Sequence, residues 1–412
     1  MKKLLSVVLC LSVLALGAPG GGTGGAHASV RRAGLPQPPD RRLPPLAPSP
    51  DDALTRALDA GAVTEAEYSL DRALTLFTPP PVTRSFGYIA EPTARSATAL
   101  FRDLAFRRDD LRAADRATAD GLLTRPTDGS QGDPIDIKYG QATVERTCTA
   151  NLCVHYATTG KHKVADLDSD DNGRPDYVDT VVSVMQAQVW TRTIEELGFR
   201  KPKSDRRSSN NGGNRKTDFY LADLGSFSVP LYGYCASDDP HLRRRSSYRF
   251  SDMSAYCVFD NDYSPDQFPN QTPLENLQVT AAHEFFHAVQ FGYDIFEDLW
   301  FLENTAVWME DEVYEDINDN LQYFWSSSMR HPHVPLDYGA GFFEYGNFIF
   351  WKYASQRFGR RFVKQVWNQA DGARGEPNRY SLRATRSVIE RRSAFGKSFI
   401  NFAIANFAPE NH

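Results

Sequence analysis

Residues 273 to 310 constrain this chain more than any other stretch. Leu274, Leu277, Ala281, Phe285 and Val289 are apolar at mixed three- and four-residue steps, which predicts a buried helix, and Pro273 suits its first turn. His283 and His287 lie four apart on that helix and so project from one face, one above the other. Two imidazoles placed this way can take two corners of a zinc tetrahedron. Glu284 is turned from His283 by about 100° around the helix. It can therefore take a proton from water activated by the metal without being a ligand itself. A catalytic zinc needs a third protein ligand. The run from Trp300 to Glu310 reads as a second buried helix whose inward carboxylate is Glu303, with 15 residues between His287 and Glu303. An ionised carboxylate among Trp300, Phe301 and Trp308 is costly unless something positive meets it, and a zinc ion would. Glu310, about two turns further along the same face, is either a competing ligand or the partner that orients a ligand histidine. The plainer alternatives are histidines satisfied within the core and a Glu303 on the helix surface.

The first residues read as an address rather than as structure. Lys2 and Lys3 precede the apolar run Leu4 to Leu16, which is too short to span a bilayer comfortably, and Ala26-His27-Ala28 offers a cleavage site. Residues 1–28 are expected to be a signal peptide, the mature chain to begin at Ser29, and the product to be secreted. No other segment is apolar enough for a membrane span. Cys10 sits inside the apolar run, which argues against a lipid anchor there. Cys148, Cys153, Cys235 and Cys257 remain, an even set in an exported chain, so two disulfides are expected. Proximity favours Cys148–Cys153 and Cys235–Cys257. A cysteine zinc site is disfavoured in an oxidising compartment. The net charge of -6 is mild for 412 residues. The basic cluster Arg243 to Arg245 reads as a solvated loop, so no nucleic-acid partner is expected.

Residues 29–50 are rich in Pro, Gly and Arg and read as disordered. Helical spacing follows over Asp51 to Leu76 and again over Thr98 to Leu123, with Pro79-Pro80-Pro81 between them. No catalytic constellation precedes residue 140, so residues 29–139 are expected to be a helical N-terminal segment, either a pro-segment or a helical domain. From 140 to 412 the texture is α+β. Asn151 to Ala157, Thr217 to Leu224 and Ala255 to Asp260 read as strands, Ser204 to Asn214 as a polar loop, and Tyr177 to Leu197 as an amphipathic helix. After Pro273 the chain is mainly helical.

Residues 168–179 place oxygen side chains at calcium-loop positions, with Asp168, Asp170, Asn172, Asp176 and Asp179 as side-chain ligands. Gly173 stands at the sharp turn, and Arg174 would contribute its backbone carbonyl. Asp at the last position shortens the usual reach. The alternative is an acidic turn without metal. Asp260-Asn261-Asp262 could line a cleft or a second calcium site, or simply form a turn.

His283-Glu284-Phe285-Phe286-His287 followed by Trp300-Phe301-Leu302-Glu303 resembles the gluzincin metallopeptidases. Aminopeptidases of that group carry a W-L-N-E-G-F-A stretch that supplies the third ligand. Here Leu302 stands for the Asn, Asn304 for the Gly, and the gap between the motifs is shorter. Residues 145 to 370 as a whole are similar to secreted bacterial proteins grouped as metallopeptidases. Those combine a calcium-loop-like segment, a strand like Tyr220-Leu221-Ala222-Asp223-Leu224-Gly225, and a helix like His283-Glu284-Phe285-Phe286-His287-Ala288-Val289-Gln290. The resemblance implies a zincin-like catalytic domain with a small mixed or antiparallel sheet. It also implies Tyr345, opening a later helix, as the donor to the developing oxyanion, with His331, His333 and Tyr338 as competitors. The expected activity is zinc-dependent hydrolysis of a protein or peptide substrate, with Glu284 as general base and calcium structural. Its rivals are a catalytically silent, calcium-stabilised binding module and a zinc hydrolase of non-peptide substrates.

Overall fold

Strand residues alternate between two buried faces, and that alternation builds the centre of the fold. In the computed structural model, residues 53–77, 94–129, 132–227, 229–242, 251–339, 342–373 and 375–407 are described. The expected signal peptide, the Pro-rich stretches at 29–50 and 79–81, and Arg243 to Arg245 lie outside them. The first elements are α1 (Ala53–Asp59), α2 (Glu65–Thr75), β1 (Ala94–Ser96), α3 (Thr98–Arg107) and α4 (Ala113–Leu122). There follow β2 (Val144–Cys148), β3 (Leu152–Ala157), α5 (Asp176–Ser183), β4 (Thr217–Ala222), β5 (Leu231–Ala236) and β6 (Tyr256–Asp260). The rest is helical: α6 (Pro273–Asp294), α7 (Leu299–Val313), α8 (Phe343–Gly346), α9 (Phe348–Phe358), α10 (Phe362–Ala370), α11 (Leu382–Ile389) and α12 (Phe395–Phe407).

The six strands form one mixed sheet in the order β1-β5-β6-β4-β3-β2. β5 is antiparallel to β6 and β2 to β3, while the other neighbours are parallel. Phe219 and Leu221 of β4, with Cys257 and Phe259 of β6, face the core shared with α5, α6, α7, α9 and α10. Tyr220, Ala222, Tyr256 and Val258 face the other way and meet Leu70, Phe101, Leu104, Leu122 and Tyr139. Period-two alternation with both faces apolar is what a sheet covered on both sides requires. The molecule is thus a mixed α/β structure, as expected in outline, and the described residues between 53 and 139 supply the layer over the second face. Each of Phe101, Leu104 and Leu122, fully buried there, contributes about 1.5–3 kcal/mol by leaving water.

A buried charge network also ties this layer to the sheet. Arg125, fully buried, donates to Asp205 (2.8 Å), Asp218 (2.6 Å) and Asp238 (2.8 Å). Asp218 is also 2.9 Å from His155 of β3. Burial pushes the Asp205 carboxyl up to about 7 in spite of Arg125.

Several expected elements take a different form. The Asp51–Leu76 helix divides at Gly61, whose φ of 67° leaves the helical region, and α2 restarts on a Thr64–Glu67 capping box. The Thr98–Leu123 helix divides around a tight turn at Arg108–Asp110. Tyr177–Leu197 starts as α5 and widens into a π-helical stretch, Val184–Glu196, with Val178, Val181, Met185 and Val189 buried as expected. β1, β2 and β5 were not foreseen. β2 is mostly exposed and β5 is interrupted by Gly233, so neither shows the apolar alternation that marks a strand. Both expected disulfides, Cys148–Cys153 and Cys235–Cys257, are formed.

Candidate metal centre

The two helices of the centre begin on strong caps. Thr272 and Glu275 form a capping box ahead of Pro273 at the start of α6. Asp298 caps α7 by accepting the Phe301 N–H at 2.8 Å. The short link Ile295–Asp298 lets α7 pack along α6, and Trp300, Trp308, Trp351 and Trp367 are buried around the pair. Phe301 stacks on Trp367 with ring centroids 4.1 Å apart. Into this apolar surround the helices bring His283, His287 and Glu303, each 1 % exposed or less.

His283 Nε2 lies 3.0 Å from His287 Nε2 and 3.2 Å from Glu303 Oε2. His287 Nε2 is 3.4 Å from the same oxygen. Corners of a zinc tetrahedron with bonds near 2.0–2.1 Å stand about 3.3 Å apart, so the three atoms fit such an ion. Behind them the partners fix the tautomers. Glu310 Oε1 sits 2.7 Å from His283 Nδ1, and an ionised carboxylate only accepts, so Nδ1 carries a proton. Gln290 donates its Nε2 to the Leu302 carbonyl (2.8 Å) and to Thr305 Oγ1 (3.0 Å). That fixes its amide and leaves Oε1 to accept from His287 Nδ1 at 2.7 Å. Both Nε2 atoms are therefore turned toward each other and toward a carboxylate. Without a metal one Nε2 carries the proton that holds the three together; a cation between them would serve the same end.

The charge balance agrees. Burial opposes a positive His283, but its hydrogen bonds to Glu303 and Glu310 outweigh burial and push the imidazole up to about 10. Burial also opposes an ionised Glu303, yet His287 and His283 beside it hold its carboxyl well below the usual range. Glu310 approaches the Nδ1 side of His283, away from the cluster, so it supports that histidine instead of joining the three.

Glu284 reaches toward the sheet, close enough to the cluster for its charge to favour a positive His283. Its Oε2 accepts from the Thr98 hydroxyl at 2.8 Å, and its buried Oε1 has no hydrogen-bond partner among the described residues. Tyr345 comes to the centre from α8, its ring centroid 6.3 Å from that of His283. A Cβ at Gly346 would stand 2.0 Å from the Ser326 carbonyl oxygen, so only glycine lets α8 seat Tyr345 this close. Burial, reinforced by Glu303, holds the Tyr345 phenol protonated, well above its ordinary value. His331, His333 and Tyr338 do not join the cluster. His331 lies against Phe343 and the Trp325 carbonyl, His333 stands beside it, and Tyr338 packs on Phe343.

Residues 268–390 match a family of unknown function, DUF6055. That stretch holds α6, α7, α8 and every residue of the cluster. No curated protein and no solved structure matches the chain.

One other acidic group was expected to carry calcium, and a second was left open between a cleft, a calcium site and a turn. In the 168–179 loop the carboxylates of Asp168, Asp170 and Asp176 offer oxygens within 4.8 Å of one another. Asp168 also accepts the Asn172 and Gly173 N–H groups, and Asp176 accepts from Ser169. Asp179 is not one of the three. Asp179 pairs with the Arg174 side chain, and Asn172 bridges Asp170 and Asp179 through its Nδ2. Asp260 is a turn staple. Its buried carboxylate accepts the N–H groups of Leu224, Gly225, Asp262 and Tyr263, while Asn261 donates to the Lys163 carbonyl. Gln290 and Thr98 were missed as site residues. Gln290, three positions after His287, carried a legible helical spacing, while Thr98 carried none.

Proposed function

We propose that this protein is a secreted, zinc-dependent peptidase of gluzincin-like type, with His283, His287 and Glu303 as the zinc ligands. The observation that carries the reading is the convergence of His283 Nε2, His287 Nε2 and Glu303 Oε2 within 3.0–3.4 Å, with both Nδ1 atoms anchored from behind. Zinc held there would supply Lewis acidity toward a carbonyl and lower the pKa of water toward about 7. Glu284 receives the proton of the attacking water at its unpartnered Oε1 and passes it to the leaving amine. Tyr345, kept as the phenol, donates to the oxygen that gains charge as the scissile carbonyl becomes tetrahedral. Asp168, Asp170 and Asp176 hold calcium and fix the start of α5, whose Tyr177 hydroxyl donates to the Asp260 carbonyl at 2.8 Å. The disulfides accord with an extracellular site of action. No described helix is long and apolar enough to cross a membrane.

A second reading draws on burial. Glu284 and all three ligand candidates are at most 1 % exposed, as in a closed structural metal site within a catalytically silent binding module. Glu284→Gln separates the two. A peptidase loses hydrolysis of an unfolded protein substrate and keeps one zinc per chain. Hydrolysis at the wild-type rate in this variant removes the peptidase reading, and a wild type that binds zinc but cleaves no peptide or other hydrolysable substrate moves the structural reading to first place.

A further inference from the structure

We propose that Thr98 is a positioning residue for Glu284, and that any N-terminal processing of the working protein therefore stops before residue 98. The proposal rests on the peptidase reading. Thr98 opens α3, in the segment that precedes every other residue of the centre, and it is 2 % exposed. Its Oγ1 does two things at once. It accepts the Cys235 N–H of β5 at 2.7 Å and donates to Glu284 Oε2 at 2.8 Å. A hydroxyl has a single proton to give, so the Cys235 contact leaves that proton for the carboxylate and fixes the direction of the bond.

The backbone explains why the hydroxyl stands there. β1 runs parallel to β5 with Ser96 opposite Gly233, and the Ala97 N–H reaches the Gly233 carbonyl at 3.4 Å. The chain then turns into α3, so the next donor along the β5 edge, Cys235 N–H, is met by the Thr98 side chain. On the other side β5 presses on α6: a Cβ at Gly233 would lie 2.9 Å from Thr280 Cγ2 and 3.2 Å from Glu284 Cγ. The Cys235–Cys257 disulfide lies against the same helix, its sulfurs 2.9 and 3.7 Å from the Glu284 carbonyl oxygen. Backbone and carboxylate of Glu284 are thus both held from the sheet side. Oε2 is occupied, and Oε1 is left as the oxygen that can take a proton. A charge-assisted hydrogen bond of this kind holds a buried carboxylate in one rotamer, and a base held in place avoids reorganisation during the reaction.

The position of any processing site follows. A cut after residue 98 would remove the donor together with Phe101 and Leu104 of the sheet's second core. Any pro-segment therefore ends before Thr98, and α3 and α4 belong to the working protein.

The test compares Thr98→Val, which keeps the shape and loses the hydroxyl, with Thr98→Ser, which keeps the hydroxyl. Thr98→Val should lower kcat about 10- to 100-fold with KM within about twofold and one zinc per chain retained. Thr98→Ser should recover most of the rate. A readout without metal is a double-mutant cycle of Thr98→Val with Glu284→Ala, followed by thermal unfolding of the metal-free protein. The two effects should be non-additive. If Thr98→Val turns over at the wild-type rate while Glu284→Gln is inactive, the positioning role is wrong and the peptidase reading stands. If Glu284→Gln is active, the peptidase reading itself fails. Should Thr98→Val not fold, Thr98→Ser with a 10-fold or greater loss, or a fully active mature chain whose N-terminus by mass spectrometry lies beyond residue 98, overturns the proposal.

Discussion

Exchanging Glu303 and Glu310 one at a time for glutamine tests the assignment of the metal ligands most sharply, because the two carboxylates touch the same histidine on opposite sides. Glu303 Oε2 stands 3.2 Å from His283 Nε2, and Glu310 Oε1 stands 2.7 Å from His283 Nδ1. In the proposed centre Glu303 is one of three ligands and supplies the negative one. Glu303→Gln leaves two neutral imidazoles and a neutral amide, and zinc should be lost on dialysis against a moderate chelator. Glu310→Gln keeps all three ligands. It replaces the acceptor behind one imidazole by an amide that can still accept, but without charge. Losing such support weakens metal binding by about 10- to 100-fold, or roughly 1.4–2.8 kcal/mol. Glu310→Gln should therefore still bind one zinc per chain, with a Kd raised by that factor in competition against a chromophoric chelator. Elemental analysis of both variants beside the wild type gives the stoichiometry, and circular dichroism of the metal-free proteins checks that the helices remain. The reasoning is refuted if Glu310→Gln loses zinc altogether while Glu303→Gln binds it like the wild type. Glu310 would then be the ligand, and the separation of the two sides of the imidazole would carry no meaning.

Arg125→Met leaves Asp205, Asp218 and Asp238 facing one another without their shared cation, so it should cost on the order of 3–5 kcal/mol, read as a lower urea midpoint with faster proteolysis of the N-terminal layer. Asp294, buried beside Asp371 and Asp252, has its carboxyl pushed up to about 8, against about 3.9 in an unfolded chain. The native state thus binds the extra proton between those values, and this group's contribution is complete below about pH 4 and lost as pH rises through about 8, at on the order of 1 kcal/mol per pH unit. Asp294→Asn, a stand-in for the protonated acid, should raise Tm at pH 9 relative to wild type and change it little near pH 4; an equal shift at both pH values would contradict the assignment. Calcium should raise the wild-type Tm by a few degrees, and Asp168→Ala should abolish that shift without changing zinc content.

The candidate metal cluster was legible in the sequence because it is written on helices. Four residues from His283 to His287 is one helical step, and an acidic side chain inside Trp300–Glu310 stands out against its neighbours. What periodicity does not carry is the side from which a partner approaches. Glu303 and Glu310 lie on one face of α7, and only their placement against Nε2 or Nδ1 of His283 separates ligand from support. Position counting places Asp179 last among the expected calcium ligands and does not foresee the Arg174 side chain that pairs with it. The N-terminal helices were legible as helices and illegible as a layer, since an apolar stripe does not name the surface it will cover. Thr98 lies 186 residues from Glu284, and a lone threonine at a helix start carries no chemistry until a strand edge and a carboxylate are brought to it.

Each side chain of the centre is held by a different part of the fold, and this bears on what metal binding has to supply. Glu310 of α7 fixes His283, and Gln290 fixes His287 while being fixed itself by the Leu302 carbonyl and Thr305. Glu284 is held by Thr98 of α3, and Tyr345 is seated by Gly346 against Ser326. The anchors thus span α3, α6, α7 and α8, and the covered sheet and the tryptophan-rich core keep those elements in place. A cation entering the cluster meets donors already at tetrahedral spacing, and little side-chain ordering remains to be done. The cost lies in the metal-free state, where two carboxylates and two imidazoles share a dry interior and His283 must take a proton to balance them. In the proposed reading both properties bear on metal uptake, and the N-terminal layer has a direct part in keeping Glu284 in place.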